Sequence, residues 1–451
     1  MESQIKQEFA ARVGLDWGDR KHAWVLEDCS SQKRERGELE QRPEAIEAWA
    51  MSLAGRYPGQ RVAVGLEQQR GAVVYALQKY AHLVLFPIHP TTAAQFRKAL
   101  YPSGATDDGR DAEALLEFVK HHGERLRRLE PDTEATRKLQ ALVEGRRRLV
   151  EEQTAHTNQL QARLKLYYPQ LLEWFDDLTA PLVAAFVEQW PTLPQLQQAS
   201  AEQVEQFLKK RGCSAKRIEQ RLAAIPQAMA LTTDAAVVEP AVLMVRSLLR
   251  MIAVLRESIA EMERQIEPVL QAHPDYAIVA SLPGAGEALE PRLLAALGSR
   301  RERWQSAQEL QCYSGIAPVV ERSGNSEQVH FRWACPKFVR QTFHEYALHS
   351  IRHSDWAREF YQRKRAHGMD RQAAIRMLAY KWIRIVYRCW KDNIPYDETR
   401  YRGALQQRTP LPASTAPTPA RQQAAAALTA PTVNLMFKPV AGFWKFLGVT
   451  P

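Results

Sequence analysis

An α/β domain followed by an all-α body is the fold class this sequence predicts, on three observations. Strand and helix signals alternate over residues 12–125, and residues 133–272 carry almost no strand signal. Within that second stretch Val245, Leu248, Ile252, Leu255, Ile259, Met262, Ile266 and Val269 recur at spacings of three and four. That is an a/d seam of about three heptads.

The elements follow in order. Val13-Gly14-Leu15-Asp16 and His22-Ala23-Trp24-Val25-Leu26 read as strands joined by a polar turn at Gly18-Asp19-Arg20. Pro43 suits a first helical turn and opens a helix over 43–53. Arg61-Val62-Ala63-Val64-Gly65-Leu66 is a third strand and Leu83-Val84-Leu85-Phe86-Pro87-Ile88 a fourth, with helices over 70–81, 91–100 and 111–122. The α/β domain is therefore placed at 10–125. A helical connector over 133–272 follows, comprising a long helix (133–168), a Pro-punctuated helical insertion (169–240) and the seam helix. The seam is either one side of an intramolecular bundle or a dimerisation arm. A mainly helical third domain spans 273–392, and 403–451 is an Ala/Pro-rich linker with an aromatic end carrying Phe437, Phe443, Trp444 and Phe446.

Composition narrows the function classes. The 451 residues, about three domains' worth, carry a net charge of +10. Residues 291–391 alone hold 19 Lys/Arg against 8 Asp/Glu, a net +11, so the rest of the chain sums to −1. A basic excess confined to one domain favours a polyanionic partner there. No apolar run reaches the roughly 18 residues of a membrane span, and no signal peptide opens the chain. Five dispersed cysteines form no C-x-x-C pair. The expectation is a soluble, cytoplasmic protein with reduced thiols and no membrane partner.

Acidic residues stand where the surrounding pattern does not require them. Asp16 closes the first strand after Val13-Gly14-Leu15, and Glu67 closes the third after Val64-Gly65-Leu66. Asp108 and Asp111 are three apart at a helix start, a spacing that aims both the same way. Clustered carboxylates repel one another unless a cation holds them, and Mg²⁺ prefers a few carboxylates plus water and phosphate oxygens. One or two such ions would suit phosphodiester chemistry. The ordinary alternative makes Asp111 a helix N-cap and Asp108 a turn residue. Asp19 and Asp107 are lower-ranked candidates.

In the third domain, Ser281-Leu282-Pro283-Gly284-Ala285-Gly286 reads as a turn whose Gly284 and Gly286 let backbone N–H groups approach a phosphate. Ser323 lies in the polar run Glu321-Arg322-Ser323-Gly324. As residues alone it is an ordinary exposed turn serine, or a nucleophile if a metal or arginines stabilise the developing charge. Arg322, Arg332, Lys337 and Arg340, with later basic residues, interleave with Trp333, Phe338, Phe343 and Trp382. That pattern is either a nucleic-acid surface or a core wrapped in charge.

Taken together, these segments resemble a known family. Gly14-Leu15-Asp16-Trp17-Gly18-Asp19-Arg20-Lys21-His22, Gly65-Leu66-Glu67 and Asp108-Gly109-Arg110-Asp111-Ala112 look like the DEDD motif of insertion-sequence recombinases guided by a bridge RNA. Leu282-Pro283-Gly284-Ala285-Gly286, Tyr313-Ser314-Gly315-Ile316-Ala317-Pro318, Ser323-Gly324 and Cys335-Pro336-Lys337-Phe338-Val339-Arg340-Gln341 match their transposase domain, over roughly residues 10–390 in all. The resemblance implies an RNase H-like (RuvC-like) first domain with Asp16, Glu67, Asp108 and Asp111 as Mg²⁺ ligands. It implies Ser323 as the nucleophile that links covalently to DNA. It implies a guide RNA paired with donor and target DNA, and a homo-oligomer, dimer or tetramer, in which domains of different protomers form a composite site. One departure stands out: Thr106-Asp107 occupies the place where the family often has Lys-Thr before the third acidic residue. That leaves Asp107 and Asp108 both open as ligand, with the spacing to Asp111 favouring Asp108.

Overall fold

The protein, seen in a computed structural model, is described for residues 8–68, 70–102, 107–324 and 326–407. It divides into two compact units, Met1–Pro131 and Asp132–Pro451.

The first unit begins with strands β1 (Phe9–Asp16), β2 (Lys21–Asp28) and β3 (Arg34–Glu40). It continues through α1 (Pro43–Arg56), β4 (Arg61–Leu66), α2 (Ala72–Leu77), β5 (Leu83–Pro87), α3 (Pro90–Leu100) and α4 (Asp108–His122). The sheet order is β3-β2-β1-β4-β5. Antiparallel pairing joins β1 to β2 and β2 to β3, whereas β4 runs parallel to β1 and β5 parallel to β4. Helices cover both faces of the sheet. Ile46, Leu53 and Val74 from α1 and α2 bury against Val13, Leu15, Val62 and Val64, while Leu115 and Val119 of α4 bury against Ala63 and Phe86. A strand buried on both faces is apolar throughout rather than alternating, which accounts for the Val62-to-Leu66 run. Each such side chain contributes about 1.5–3 kcal/mol by leaving water.

β3 has no counterpart among the expected strands. Its sequence, Arg34 to Glu40, is almost wholly charged and only Leu39 is buried. An edge strand has one neighbour and a solvated face, so charge is tolerated and deters pairing with other chains. Its first residue also acts as a brace. Arg34 on β3 pairs with Glu27 on β2 and with Glu113 and Glu117 on α4, and Lys120 of α4 reaches the same buried Glu27 at 2.9 Å. The helix expected from residue 111 starts at Asp108, because Asp107 serves as its N-cap and accepts from the Arg110 N–H at 2.9 Å. The helix expected over 70–81 is confined to Ala72–Leu77.

Among its described residues the second unit is mainly helical, with one hairpin. Its long helix α5 (Glu134–Tyr167) is followed by five short ones: α6 (Leu171–Trp174), α7 (Pro181–Gln189), α8 (Leu193–Gln197), α9 (Ala201–Lys210) and α10 (Ala215–Ala224). The seam helix α11 (Ala235–Gln271) then returns antiparallel to α5. Met262 lies against Gly145, and Arg146 binds Glu263. Val245, Leu248, Ile252, Ile259 and Ile266 are buried, so this seam is at least one side of an intramolecular pair. At one end it joins the core of the short helices, with Leu160 and Leu164.

At the other end Leu139, Val143, Ile266 and Leu270 enter the core of the third segment. The stretches expected as separate domains, 133–272 and 273–392, therefore share one core. The third segment comprises α12 (Tyr276–Ala280), α13 (Gly286–Leu297), α14 (Ala307–Tyr313), β6 (Val319–Ser323) and β7 (Ser326–His330). It ends with α15 (Lys337–His353), α16 (Asp355–Ala366), α17 (Arg371–Asp392) and α18 (Glu398–Gln407). The expected linker and aromatic end lie outside the described residues, apart from the last residues of α18. Among the described residues no helix is long and apolar enough to cross a membrane.

Candidate active site

The first candidate site is built by repetition. Val13-Gly14-Leu15-Asp16 on β1 and Val64-Gly65-Leu66-Glu67 after β4 are the same pattern on parallel strands. They pair in register, Val13 with Val64, Gly14 with Gly65 and Leu15 with Leu66. Asp16 and Glu67 therefore leave the sheet side by side at its carboxyl edge. The paired glycines admit α4: a Cβ on Gly14 would stand 1.9 Å from the Ala112 carbonyl oxygen, and one on Gly65 would stand 2.4 Å from Val119. Close seating of α4 brings its first turn, with Asp108 and Asp111, to the same edge. Past Asp16 the chain turns sharply, and the turn is fixed by the Gly18 N–H donating to His22 Nδ1 at 3.2 Å and by His22 bonding Gln41.

The electrostatics confirm that the four carboxylates share one neighbourhood. The Asp16 carboxyl is pushed up to about 7, first by burial and then by the negative charges of Asp111, Glu67 and Asp108, against a hydrogen bond from Trp17. Glu67 is raised as well, by burial and by Asp111, and Arg97 opposes the shift. Arg97, from α3, is a residue that sequence reasoning missed. Its guanidinium meets both Asp111 oxygens, at 2.5 and 2.6 Å. Nothing in its sequence context marked it, because only the fold brings α3 beside α4.

One guanidinium against four acidic groups leaves an excess of negative charge, and every donor is a hard oxygen, the chemistry a magnesium ion takes. The carboxylates are not gathered for that task. Among the described residues no three His, Cys, Asp or Glu side chains converge closely enough to hold one ion. With Arg97 on Asp111 the arrangement is an open one. Asp107 faces its own helix as N-cap and pairs with Arg110, which leaves Asp108 the freer of the two neighbours.

The second candidate site is the β6–β7 hairpin, two strands where the sequence predicts a polar turn carrying either an ordinary serine or a nucleophile. Both strands are largely exposed and so lack the apolar face by which a strand is recognised. Ser323 pairs with Ser326 at the tip, and Gly324 takes the left-handed φ of 56° that so tight a connection needs. Ser323 is exposed there. Next to it Arg322 donates to Glu327 across the strands at 2.8 Å.

The base of the hairpin consumes two of the expected nucleic-acid arginines. Arg332 donates to the carbonyls of Ala317 and Pro318. Arg340 donates to those of Arg332 and Trp333 and to Cys335 Sγ. Lys337 is exposed at the start of α15. Of the turn glycines, Gly286 faces open space, whereas a Cβ on Gly284 would stand 2.7 Å from His353, so Gly284 serves packing against α15. Among the interleaved aromatics, Phe343 and Trp382 are fully buried and Trp333 is 59% exposed.

Comparison with known proteins places both sites in one setting. Residues 13–169 match the transposase family DEDD_Tnp_IS110, and residues 276–362 match the family described as "Transposase IS116/IS110/IS902 family". The chain belongs to the IS116/IS110/IS902 transposase family. It is accordingly an enzyme of DNA cleavage and strand transfer. Among its relatives the "Mini-circle putative transposase for IS117" of Streptomyces coelicolor is 26% identical over 402 residues, covering 87% of this chain and 97% of that protein. An "Insertion element IS110 uncharacterized 43.6 kDa protein" of the same organism is 26% identical over 66% of this chain and 74% of its own length. The "Pilin gene-inverting protein" of Moraxella bovis is 27% identical over 32% of this chain and 46% of that protein. Both families' matches fall on segments that hold a candidate site: the first includes Asp16, Glu67, Asp108 and Asp111 of this transposase, and the second includes Ser323.

Proposed function

We propose that this transposase is an RNA-guided DNA recombinase of an insertion sequence, with an RNase H-like first unit and Ser323 as its nucleophile. The coupling of Asp16, Glu67, Asp108 and Asp111 at one sheet edge, with a charge excess that Arg97 only partly offsets, carries this reading. The strand order β3-β2-β1-β4-β5 with acids at the ends of β1 and β4 is consistent with the RNase H-like assignment. In this reading Asp16, Glu67, Asp108 and Asp111, which stand too far apart here to hold one ion, would close on Mg²⁺ when it binds. When bound, the ion supplies Lewis-acid stabilisation of the charge that builds on the phosphate oxygens.

The chain's own groups do the rest. The Ser323 Oγ forms a bond to phosphorus as the bond from phosphorus to the departing DNA oxygen breaks, and the proton lost by the serine ends on that oxygen. The phosphodiester bond is thereby conserved as a phosphoserine diester until a second DNA hydroxyl attacks and frees the serine. Such conservation suits rejoining of strands, and the relatives named for gene inversion favour it over simple cutting. Guide RNA pairing with donor and target DNA supplies sequence choice. A dimer or tetramer brings units of different protomers together, and Met251 and Val254, exposed on α11 at 40% and 62%, offer apolar surface for that contact.

The test combines purified protein, RNA copied from the element's non-coding flank, labelled donor and target DNA, and Mg²⁺. After denaturation, DNA attached to the Ser323 peptide and dependent on RNA is the expected result. Cleaved DNA with free ends and no adduct refutes the serine mechanism and leaves a metal-dependent nuclease.

A further inference from the structure

The least explained side chain on the hairpin unit is Trp333. Large apolar residues at 59% exposure are usually scattered and mobile, but this one is held. Its carbonyl accepts from Arg340 at 3.1 Å, and its indole meets the Phe331 ring edge-on, with centroids 4.8 Å apart. Phe331 is in turn held by two cations: the guanidinium groups of Arg340 and Arg376 lie 4.5 and 4.8 Å from its ring centroid. Arg376 is itself only 4% exposed. The indole therefore stands on a rigid base of arginine and phenylalanine with most of its surface in water.

The local charge indicates what covers it. From Phe331 to Arg340 the chain carries Arg332, Lys337 and Arg340 and no acidic residue. A π-face in a cationic setting matches an unpaired nucleobase, whose ring stacks while its phosphates meet the exposed Lys337; Arg332 and Arg340 add positive field, their donors being held by carbonyls. We propose that Trp333 is a base-stacking ledge for the DNA strand that Ser323 attacks, an inference that rests on the reading of Ser323 given above. DNA is the chosen source because Trp333 lies three residues past the end of β7, and Ser323 stands at the tip of that same hairpin. Four residue steps of β7 separate tip from base, about 14 Å at 3.4 Å each. That is the length of about four stacked nucleotides, to which the three residues from His330 to Trp333 add.

The experiment uses the full chain and a short mixed-sequence single-stranded DNA in which iododeoxyuridine replaces thymidine. Ultraviolet light should cross-link it to the peptide containing Trp333, as read by mass spectrometry. Trp333→Ala should bind this DNA about tenfold more weakly, in line with loss of one stacked base. Trp333→Phe should restore most of the affinity. The slope of log affinity against log salt should stay unchanged in Trp333→Ala and flatten in Lys337→Ala, because only the latter removes a phosphate contact. Circular dichroism checks that each variant folds. Ser323→Ala should cross-link as well as the wild type, so a failed serine mechanism and a failed ledge give different results. Affinity within twofold in Trp333→Ala overturns the proposal. So does cross-linking confined to an iodouridine RNA of the same sequence, or protection of Trp333 by self-association alone.

Discussion

Replacing Gly14 by Ala should unseat α4 and with it half of the acidic site. The new Cβ would lie 1.9 Å from the Ala112 carbonyl oxygen and 2.4 Å from the Leu116 nitrogen, both backbone atoms that no rotamer change can move. Contacts of that kind are not found under 3.0 Å, so helix and sheet must separate by at least about 1.1 Å, the difference between those two distances. Overpacking of a close interface costs about 1–3 kcal/mol, and a backbone clash belongs at or above the upper end. At roughly 4 °C per kcal/mol for a unit of this size, the melting transition of the first unit should fall by about 10 °C. DNA cleavage should fall more than the remaining folded fraction explains, since a shift near 1 Å in catalytic positions alone can lower the rate by about a hundredfold. Gly55→Ala is the control. It lies in α1 with no atom within 4 Å of the added Cβ, and it should stabilise by about 0.5–1 kcal/mol. Thermal melts of the full chain by circular dichroism, with cleavage assayed well below both transitions, decide the matter. A Gly14→Ala protein that melts and cuts like wild type refutes the close seating of α4.

The other expectations are more direct. Ser323→Ala should abolish the covalent adduct and strand exchange yet leave stability within about 0.5 kcal/mol, because the side chain is exposed at the hairpin tip; an active variant removes the serine from the mechanism. Glu27 is 1% exposed between Arg34 and Lys120, and although burial alone would raise its carboxyl, the two cations hold it below the usual range. Glu27→Gln should therefore cost about 1.5 kcal/mol by removing the carboxylate that Lys120 and Arg34 share, and an unchanged urea midpoint counts against the brace. Asp16, pushed up to about 7 from 3.8, keeps its proton in the folded chain at pH values where the unfolded chain has lost it. Folded protein then binds more protons, so in the metal-free protein this contribution to stability declines as pH rises from about 4 to about 7 and is level above that. Asp16→Asn should flatten the pH dependence of the melting point between about pH 4 and 7, and an undiminished slope assigns the effect to other groups.

Legibility in the sequence followed burial. β1, β2, β4 and β5 were readable because apolar side chains alternate or run unbroken where a strand has covered faces, and α5 and α11 because length and the seam repeat leave little choice. β3, β6 and β7 were not, since exposed strands are selected for charge and turn chemistry rather than for an apolar face. Asp16 and Glu67 stood out as acids ending apolar strands, and the repeated Val-Gly-Leu pattern foreshadowed their pairing. Arg97 is different in kind: its meeting with Asp111 depends on where α3 packs, which no local pattern records. The fate of Arg332 and Arg340 was equally hidden, because a lysine- and arginine-rich run looks the same whether its donors meet phosphates or backbone carbonyls.

The two halves of the acidic cluster are stabilised unequally, and this bears on how the site is assembled. Asp108 and Asp111 sit in the first turn of a 15-residue helix, where the positive end of the helix dipole favours a negative charge. Asp16 and Glu67 leave strand ends that offer no such field, and these two carboxyls are raised by burial and by one another's neighbours. The helix half is further tied down at its far end by Glu27, Arg34 and Lys120, so α4 does not relieve the repulsion by drifting away. The remaining ways to relieve it are a proton on Asp16, the Arg97 guanidinium on Asp111, or a divalent cation between the halves. Protons and cation compete for the same oxygens, so stabilisation by added Mg²⁺ should grow from pH 6 to pH 8. Arg97→Gln should strengthen that effect, because it removes the internal rival for Asp111. Melting curves with and without Mg²⁺ at the two pH values measure both, and a Mg²⁺ shift independent of pH and of Arg97 would mean that the ion binds elsewhere.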